Sequence, residues 1–387
     1  MSENTTTTTP FVAPPGLAGV IVADTTIGDV RGDEGFFHYR QYDATRLART
    51  RSFEEVWHLL VCGSLPDQGQ LTAWTERTSK AATVPDALAA QLISVMRASA
   101  GTDPLVTLRT ALSAYGSLVG DRPLWDSDEP TKAVAAIRGA AVVPWLVAAA
   151  YSLAHDEQPR RSRPELGHVG NYLWLVTGVD PEPDHVAALT RYLILTIDHG
   201  FNNSTFTART VASTGADLTA CLVAGIGSLS GPLHGGAPSR ALDALDEIGT
   251  ADRARPWARD QLASGNRVMG FGHAVYRGLD PRSELLKESA IELGGATADL
   301  AVQVEAEVVS VLAEAKPDRV LRANVEYYAG VVMQACGIPR EMFTPTFACS
   351  RVVGWTAHVL EQSRDRKIIR PLSHYTGPEV ERGGSPV

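Results

Sequence analysis

The sequence predicts an all-α fold with a few short strands near the N-terminus. Apolar residues recur at the i, i+3 and i+4 intervals of a helix through most of the chain, and Gly, Pro and Asp separate the periodic stretches. No strands alternate with these stretches, which argues against a doubly wound sheet. The 387 residues are 44% hydrophobic, enough for a substantial core and for two or three domains.

The elements follow one another in a simple order. Short Val/Ile and aromatic pieces at 19–23 and 35–39 predict one or two strands. The longest apolar run, 139–154, is shorter than a membrane span and contains Pro144, so it predicts a buried helix. The N-terminal residues and those from Gly377 onward are expected to be tails. Helical spacing predicts helices at 52–60, 86–98, 105–118, 131–153, 183–195, 218–229, 237–245, 257–264, 284–293, 300–315, 331–336 and 343–362.

Charge and cysteine usage exclude several classes of protein. A formal charge of −9 argues against nucleic acid or an anionic membrane as the main partner, because both favour a basic surface. The N-terminus has neither the basic start nor the apolar stretch of a signal peptide. The cysteines contain no Cys-x-x-Cys pair, which predicts a reducing, cytoplasmic location with neither a zinc site nor a disulfide framework; they are Cys62, Cys221, Cys336 and Cys349.

Two histidines stand in glycine-rich turns. His234 lies in Gly-Pro-Leu-His-Gly-Gly at 231–236, and His273 ends Gly-Phe-Gly-His at 270–273. The glycines permit positive φ and close approach of a ligand. His234 also precedes the predicted helix 237–245, whose positive end disfavours imidazolium, so its ring is expected to be a neutral hydrogen-bond donor. A single histidine beside glycines is more often an ordinary turn residue; two in matched turns favour a site.

Several cations and polar residues accompany the histidines. Arg277 and Arg282 follow His273 and suit an anionic ligand. Arg351 lies within an apolar helix, where it is costly unless it faces an anion. The polar stretch 198–209 contains His199 and Asn202, which either line a site or cap helices. Glu326 opens another apolar helix, as a capping residue or as a base in a cleft.

The combination of these motifs resembles the citrate synthase family from about residue 16 to 375. The motifs occur in the family's order and at about its spacing. They are Gly-Pro-Leu-His-Gly-Gly at 231–236, Gly-Phe-Gly-His at 270–273, Asp-Pro-Arg at 280–282, Asn-Val-Glu-Tyr-Tyr at 324–328, the stretch 347–361 with Gly354, Trp355 and His358, and Ile-Arg-Pro at 369–371.

The resemblance implies a nearly all-helical homodimer. Its large domain is expected at 1–235 plus 338–387, and a small domain, 236–337, closes over the active-site cleft. The implied reaction is that of a Si-type citrate synthase of the tricarboxylic acid cycle, in which acetyl-CoA condenses with oxaloacetate before the thioester is hydrolysed. The resemblance implies no metal and no permanently bound cofactor, with a coenzyme A thioester as co-substrate.

The resemblance also assigns roles to residues. His234 is expected to hydrogen-bond the thioester oxygen, and His273 to polarise the oxaloacetate carbonyl. Arg370 is expected to reach the neighbouring subunit's site. The substrate-binding set is predicted as His199, Asn202, Arg282, Arg351 and Arg370. The coenzyme A set is predicted as Val268, Gly270, Gly272 and Arg277.

One position departs from the family pattern. The usual base is the aspartate of an Asn-Val-Asp motif, whereas Glu326 stands here. An extra methylene moves the carboxylate by about an ångström, and such misplacement can cost about a hundredfold in rate. Two alternatives follow: a 2-methylcitrate synthase using propionyl-CoA, which the sequence does not separate from the first reading, and a low-activity or non-catalytic CoA-binding relative. The retained histidines and arginines argue against the latter.

Overall fold

A computed structural model describes residues 11–99, 103–231, 234, 237–273 and 275–378, with only the backbone of 237–240. The predicted tails lie largely outside these ranges. An antiparallel sheet of order β1-β2-β3 is formed by β1 (Gly28–Arg31), β2 (Phe36–Tyr39) and β3 (Tyr42–Asp43). The predicted strand at 35–39 is confirmed. The one at 19–23 is wrong, because that segment pairs with no other strand and leaves Ile21 88% exposed.

The remaining regular secondary structure of the described chain is helical, which confirms the all-α fold class. The helices are α1 (Ala44–Thr50), α2 (Phe53–Cys62), α3 (Gln68–Ala82), α4 (Asp86–Arg97), α5 (Pro104–Val119), α6 (Glu129–Ala141), α7 (Val143–Ala154), α8 (Gly167–Thr177), α9 (Pro183–Thr196), α10 (Asn203–Ala212), α11 (Leu218–Leu229), α12 (Ala237–Ile248), α13 (Ala251–Ala263), α14 (Pro281–Leu293), α15 (Ala296–Ala315), α16 (Val325–Ala335) and α17 (Phe343–Gln362).

The helix prediction fails in three ways, one of which is that the helices predicted at 257–264 and 331–336 begin six residues earlier, as α13 and α16. The single helix expected at 131–153 is two helices, α6 and α7, because Pro144 has no N–H to continue the hydrogen-bond ladder. Helices α1, α3, α8 and α10 were not predicted. In α3 the buried stripe consists only of Trp74, Thr78 and Ala82, so its apolar period is faint. In the part of the chain that the structure describes, 129–154 alone is long and apolar enough to cross a membrane, and 78% of its most apolar window is buried.

Helix α17 lies at the centre of the core and crosses the end of α9 closely. A Cβ on Gly354 would lie 2.1 Å from the carbonyl oxygen of Ile197, so only glycine permits this approach. The last carbonyls of α9 have no partner within their own helix. Tyr39 Oη donates to the oxygen of Ile194 at 2.7 Å, and Arg351 Nε donates to that of Thr196 at 2.8 Å. The crossing therefore places Arg351 beside the residues that follow α9.

Helices α12 to α16 pack on one another within the segment predicted as the small domain. Helix α13 lies against α15, and α16 lies between α12 and α14. Helix α14 also packs on α9, and one hydrophobic core runs through both parts. The domain boundaries stay a prediction. These contacts bring the turn before α14 and the start of α16 next to the end of α9.

Candidate active site

The turn that carries His273 is fixed to the start of α16. Gly270 and Gly272 have φ of 85° and 83°, the left-handed region predicted from the sequence. Asn324 N donates to the Gly270 oxygen at 2.9 Å, and Asn324 Nδ2 donates to the Gly272 oxygen at 3.0 Å. Asn324 also caps α16 by accepting from Glu326 N. The histidine turn and the helix of Glu326 therefore form one unit.

The hydrogen bonds of His273 fix its tautomer. Nδ1 accepts from the backbone N–H groups of Val275 at 2.9 Å and Tyr276 at 3.1 Å, so the proton of the neutral ring is on Nε2. Burial and then Arg282 lower the pKa of His273 to about 4. Arg282 Nη2 lies 3.1 Å from Nε2. Two donors face each other here, so an oxygen acceptor placed beside them would satisfy both.

His234 is also a neutral ring. Its Nε2 accepts from Ser204 N at 3.4 Å and lies 2.8 Å from Ser204 Oγ, which leaves the proton on Nδ1. Burial and then Arg351 lower its pKa to about 4. This low pKa agrees with the predicted neutral state of the ring. Burial and the neighbouring Arg351 cause it. Helix α12 begins at Ala237, as the sequence predicted, whereas Gly235 and Gly236 lie outside the described residues.

Two buried arginines lie near the histidines. Arg282 donates from N, Nε and Nη2 to the carboxylate of Asp280, which also accepts from Val325 N at 3.0 Å. Arg351 has its guanidinium 4.6 Å from the ring of Phe347. Burial lowers the pKa of Arg351 to about 10, and it forms no ion pair with any carboxylate of the described chain. The charge of Asp198 acts on Arg351 without an ion pair between them, and a buried cation that lacks a direct ion pair favours an anionic ligand.

His199 and Asn202 differ in their surroundings. His199 Nε2 lies 3.0 Å from Tyr276 Oη, and its ring centre is 6.0 Å from that of His273. Burial, followed by Arg282, holds its pKa well below the ordinary value. Asn202 is the N-cap of α10: its Oδ1 accepts from Thr205 N at 3.1 Å, and its Nδ2 donates to the Gly200 oxygen. The structure thus shows that Asn202 caps a helix, which was one of the two predicted alternatives. Its substrate-binding role stays a prediction.

Glu326 lies between two cavities. It lines a cleft of about 510 Å³ together with His273, and a smaller cavity of about 40 Å³ together with His234. Burial raises the pKa of Glu326 to about 7, with Arg282 opposing the rise. A carboxyl group with a raised pKa beside neutral histidines is the pairing expected of an acid–base site.

The larger cleft contains a group of cations that the sequence analysis missed. Arg267, Lys316 and Arg319 line it, and none of them forms an ion pair within the described ranges. They come from two loops about fifty positions apart in the sequence, so no local motif indicates that they lie together. Val268, Gly270 and Gly272 of the predicted coenzyme A set also line this cleft.

Six predicted site residues line neither cavity, namely His199, Asn202, Arg282, Arg351, Arg277 and Arg370, and of these only Arg277 and Arg370 are exposed. Arg277 is exposed and pairs with Asp33 at 3.1 Å. Arg370 is exposed in the segment after α17 and lines neither cavity. The coenzyme A role of Arg277 and the role of Arg370 in a neighbouring subunit's site stay predictions. Across the described chain, no group of three His, Cys, Asp or Glu side chains is arranged to hold a metal ion.

Comparisons with known proteins agree on one family. The pattern described as "Citrate synthase, C-terminal domain" matches residues 16–372. Citrate synthase 2 of Bacillus subtilis is 35% identical over 377 residues, which are 96% of this chain and 98% of the relative. The crystal structure of citrate synthase from Pyrobaculum aerophilum has a TM-score of 0.84 at 34% identity, covering 94% of this chain and 92% of that one.

A third comparison concerns a ligand complex. Citrate synthase from Thermoplasma acidophilum, in a ternary complex with carboxymethyl coenzyme A and oxaloacetate, has a TM-score of 0.85 at 26% identity and covers 95% of this chain and 97% of that one. The chain belongs to the citrate synthase family. It is an enzyme of the acyl-transferring class.

The Asp280 carboxylate yields a prediction about stability. We expect Asp280→Asn to lower the free energy of unfolding by about 3–5 kcal/mol, because it leaves the buried Arg282 without a counter-charge. The matched control is Asp86→Asn, which removes an exposed ion pair with Arg161 and should cost about 1 kcal/mol or less. Urea unfolding of both variants measures the difference. Equal small losses would contradict the assigned role of Asp280.

Proposed function

We propose that this enzyme is a Si-type citrate synthase that condenses acetyl-CoA with oxaloacetate and water to give citrate and coenzyme A. The observation that carries the proposal is the position of Glu326, which lines one cavity with His273 and another with His234. The proposed base therefore borders one cavity with the proposed activator of the oxo acid and another with the proposed activator of the thioester.

Oxaloacetate is placed by the buried cations. His273 Nε2–H and Arg282 Nη2 converge on one position and suit the oxygen atoms of a 2-oxo acid. Arg351 offers a second buried positive charge. The ring centres of His199 and His273 are 6.0 Å apart. A hydrogen bond from His273 to the oxo group draws electrons from the carbon that is attacked.

The chemistry then follows from the other two residues. The Glu326 carboxylate removes a proton from the carbon alpha to the thioester, while His234 Nδ1–H donates to the enolate oxygen that develops. The enolate carbon attacks the oxo carbon, and the former oxo oxygen takes up a proton to become the hydroxyl of a citryl thioester. Water adds to the thioester carbonyl, the C–S bond breaks, and coenzyme A leaves as the thiol.

The larger cleft is proposed to bind coenzyme A. Arg267, Lys316 and Arg319 carry three positive charges suited to its phosphates. The relative from Thermoplasma acidophilum was solved with carboxymethyl coenzyme A and oxaloacetate, which supports the same pair of ligands here. No permanently bound cofactor is part of this proposal.

The alternatives differ in substrate or in turnover. A 2-methylcitrate synthase would run the same steps with propionyl-CoA. A non-catalytic CoA-binding relative would have lost turnover through Glu326. A carboxyl of pKa about 7 beside two neutral histidines is arranged for proton transfer, and this supports an active enzyme over a simple binder.

We further propose a cytoplasmic homodimer that acts in the tricarboxylic acid cycle. All four cysteines are free thiols, in keeping with a reducing compartment. Small and apolar residues recur at helical spacing along a half-exposed face of α11, namely Ala220, Val223, Ala224 and Gly227. Such a face suits close packing against the same helix of a second subunit.

The first experiment measures release of coenzyme A thiol. The purified protein with acetyl-CoA and oxaloacetate should release thiol, and EDTA should leave the rate unchanged, since every proposed step uses side chains and water. Propionyl-CoA is tested in parallel. Absence of thiol release with both thioesters would overturn the proposed function.

Glu326→Gln tests the base. We expect kcat to fall by about a hundredfold or more, because the amide cannot accept the proton, while substrate binding is largely kept. Wild-type activity should decline as the pH falls through about 7, since the raised pKa leaves Glu326 protonated at lower pH.

Two variants serve as comparisons for the base. Glu326→Asp should retain more activity than Glu326→Gln, because it keeps the carboxylate. Glu247→Gln removes an exposed carboxylate of α12 and should leave kcat unchanged. A chemistry-limited kcat near that of wild type in Glu326→Gln would show that another group is the base.

Arg370 tests the shared site. Inactive Arg370→Ala refolded together with inactive His273→Ala should form heterodimers that contain one intact site, so activity should return. Lys367→Ala, an exposed cation of the same segment, is the control and should be active alone. Heterodimers that form without activity would disprove the contribution of Arg370 to a neighbouring subunit.

A further inference from the structure

A small apolar cavity shares only Glu326 with the lining of the coenzyme A cleft. Its volume is about 40 Å³, and Glu326 and His234 lie on its wall. The rest of the wall is Thr196 together with apolar surface from Val325 and Ala329 of α16, Phe347 of α17 and Tyr192 of α9. The Tyr192 hydroxyl has almost no accessible surface, so this residue presents its ring and not a polar group.

The position of this small cavity determines what can enter it. The cations of the larger cleft mark the phosphate end of coenzyme A, so the thioester reaches Glu326 from that side. The carbon that loses its proton must touch the Glu326 carboxylate while the thioester oxygen faces His234. Because Glu326 and His234 both lie on the wall of the small cavity, that cavity is the apolar space open to a further carbon attached to the first.

The volume of the cavity limits the length of that substituent. A cavity holds a group the size of water when it offers about 10–15 Å³, so about 40 Å³ accommodates a methyl group or a chain of about three carbons, and not a long chain. Burial of one methylene in an apolar site contributes about fourfold in binding. The site therefore has both room and a driving force for one additional carbon.

We propose that this cavity is the acyl-chain pocket, that it accepts a propionyl group as well as an acetyl group, and that Ala329 sets its depth. The proposal rests on the proposed function and names the acyl class that the site takes. Ala329 lies three residues after Glu326, on the same face of α16, and is 1% exposed. A larger side chain at this position would fill the space beside the base.

The experiment compares kcat/KM with acetyl-, propionyl- and butyryl-CoA. Wild-type enzyme should use propionyl-CoA within about tenfold of acetyl-CoA. Ala329→Val should lower the propionyl-to-acetyl ratio by about tenfold or more, because its two extra methyl groups occupy the pocket. Ala329→Gly should act in the opposite direction and raise the butyryl-to-acetyl ratio.

A matched control uses the same substitution on the same helix. Ala335→Val, at the far end of α16 and outside the cavity, should leave the acyl ratios unchanged. If Ala329→Val fails to fold, the Ala329→Gly ratio decides the question.

Three outcomes are distinguishable. Wild-type enzyme that is active with acetyl-CoA and inert with propionyl-CoA would overturn the pocket while the citrate synthase reaction stands. Wild-type acyl ratios in both Ala329 variants would also overturn it. No thiol release from the wild type with any of the three thioesters would instead refute the proposed function.

Discussion

The carboxylate of Asp280 is the contact on which the site depends. It accepts hydrogen bonds from Arg282 within α14 and from Val325 at the start of α16, so it joins the two helices that carry the site. Arg282 lies against His273, and Val325 precedes Glu326 in the chain. Together with the hydrogen bonds of Asn324, this buried carboxylate therefore holds the proposed activator of one substrate beside the proposed base for the other.

Burial acts in opposite directions on the ionisable groups of the site. It lowers the pKa of His234 and of His273 to about 4, and it raises that of Glu326 to about 7. Near neutral pH the two rings are consequently uncharged donors, and Glu326 exchanges a proton readily. The same apolar surroundings thus produce two kinds of group, because loss of water disfavours whichever form is charged.

The sequence predicted the parts of the fold that have a strong local signal. Helices such as α11 and α17 are apolar over most of their length, and their predicted bounds agree with the structure. Helix α10 was missed, because it is polar and rich in threonine. Its beginning is signalled by Asn202, whose capping was considered only as an alternative to substrate binding.

The candidate site likewise contains residues with a local sequence signal and residues without one. His234, His273 and Glu326 belong to local motifs, and the fold brings them together. Arg267, Lys316 and Arg319 meet only because α15 returns the chain to the cleft, so no spacing in the sequence reveals them. Glu326 itself connects the two levels: it has one methylene more than the aspartate of the family motif, and it lines the small cavity together with Ala329, one turn further along α16. A longer acid and a small neighbour on one helical face together define how close the base comes to the acyl carbon.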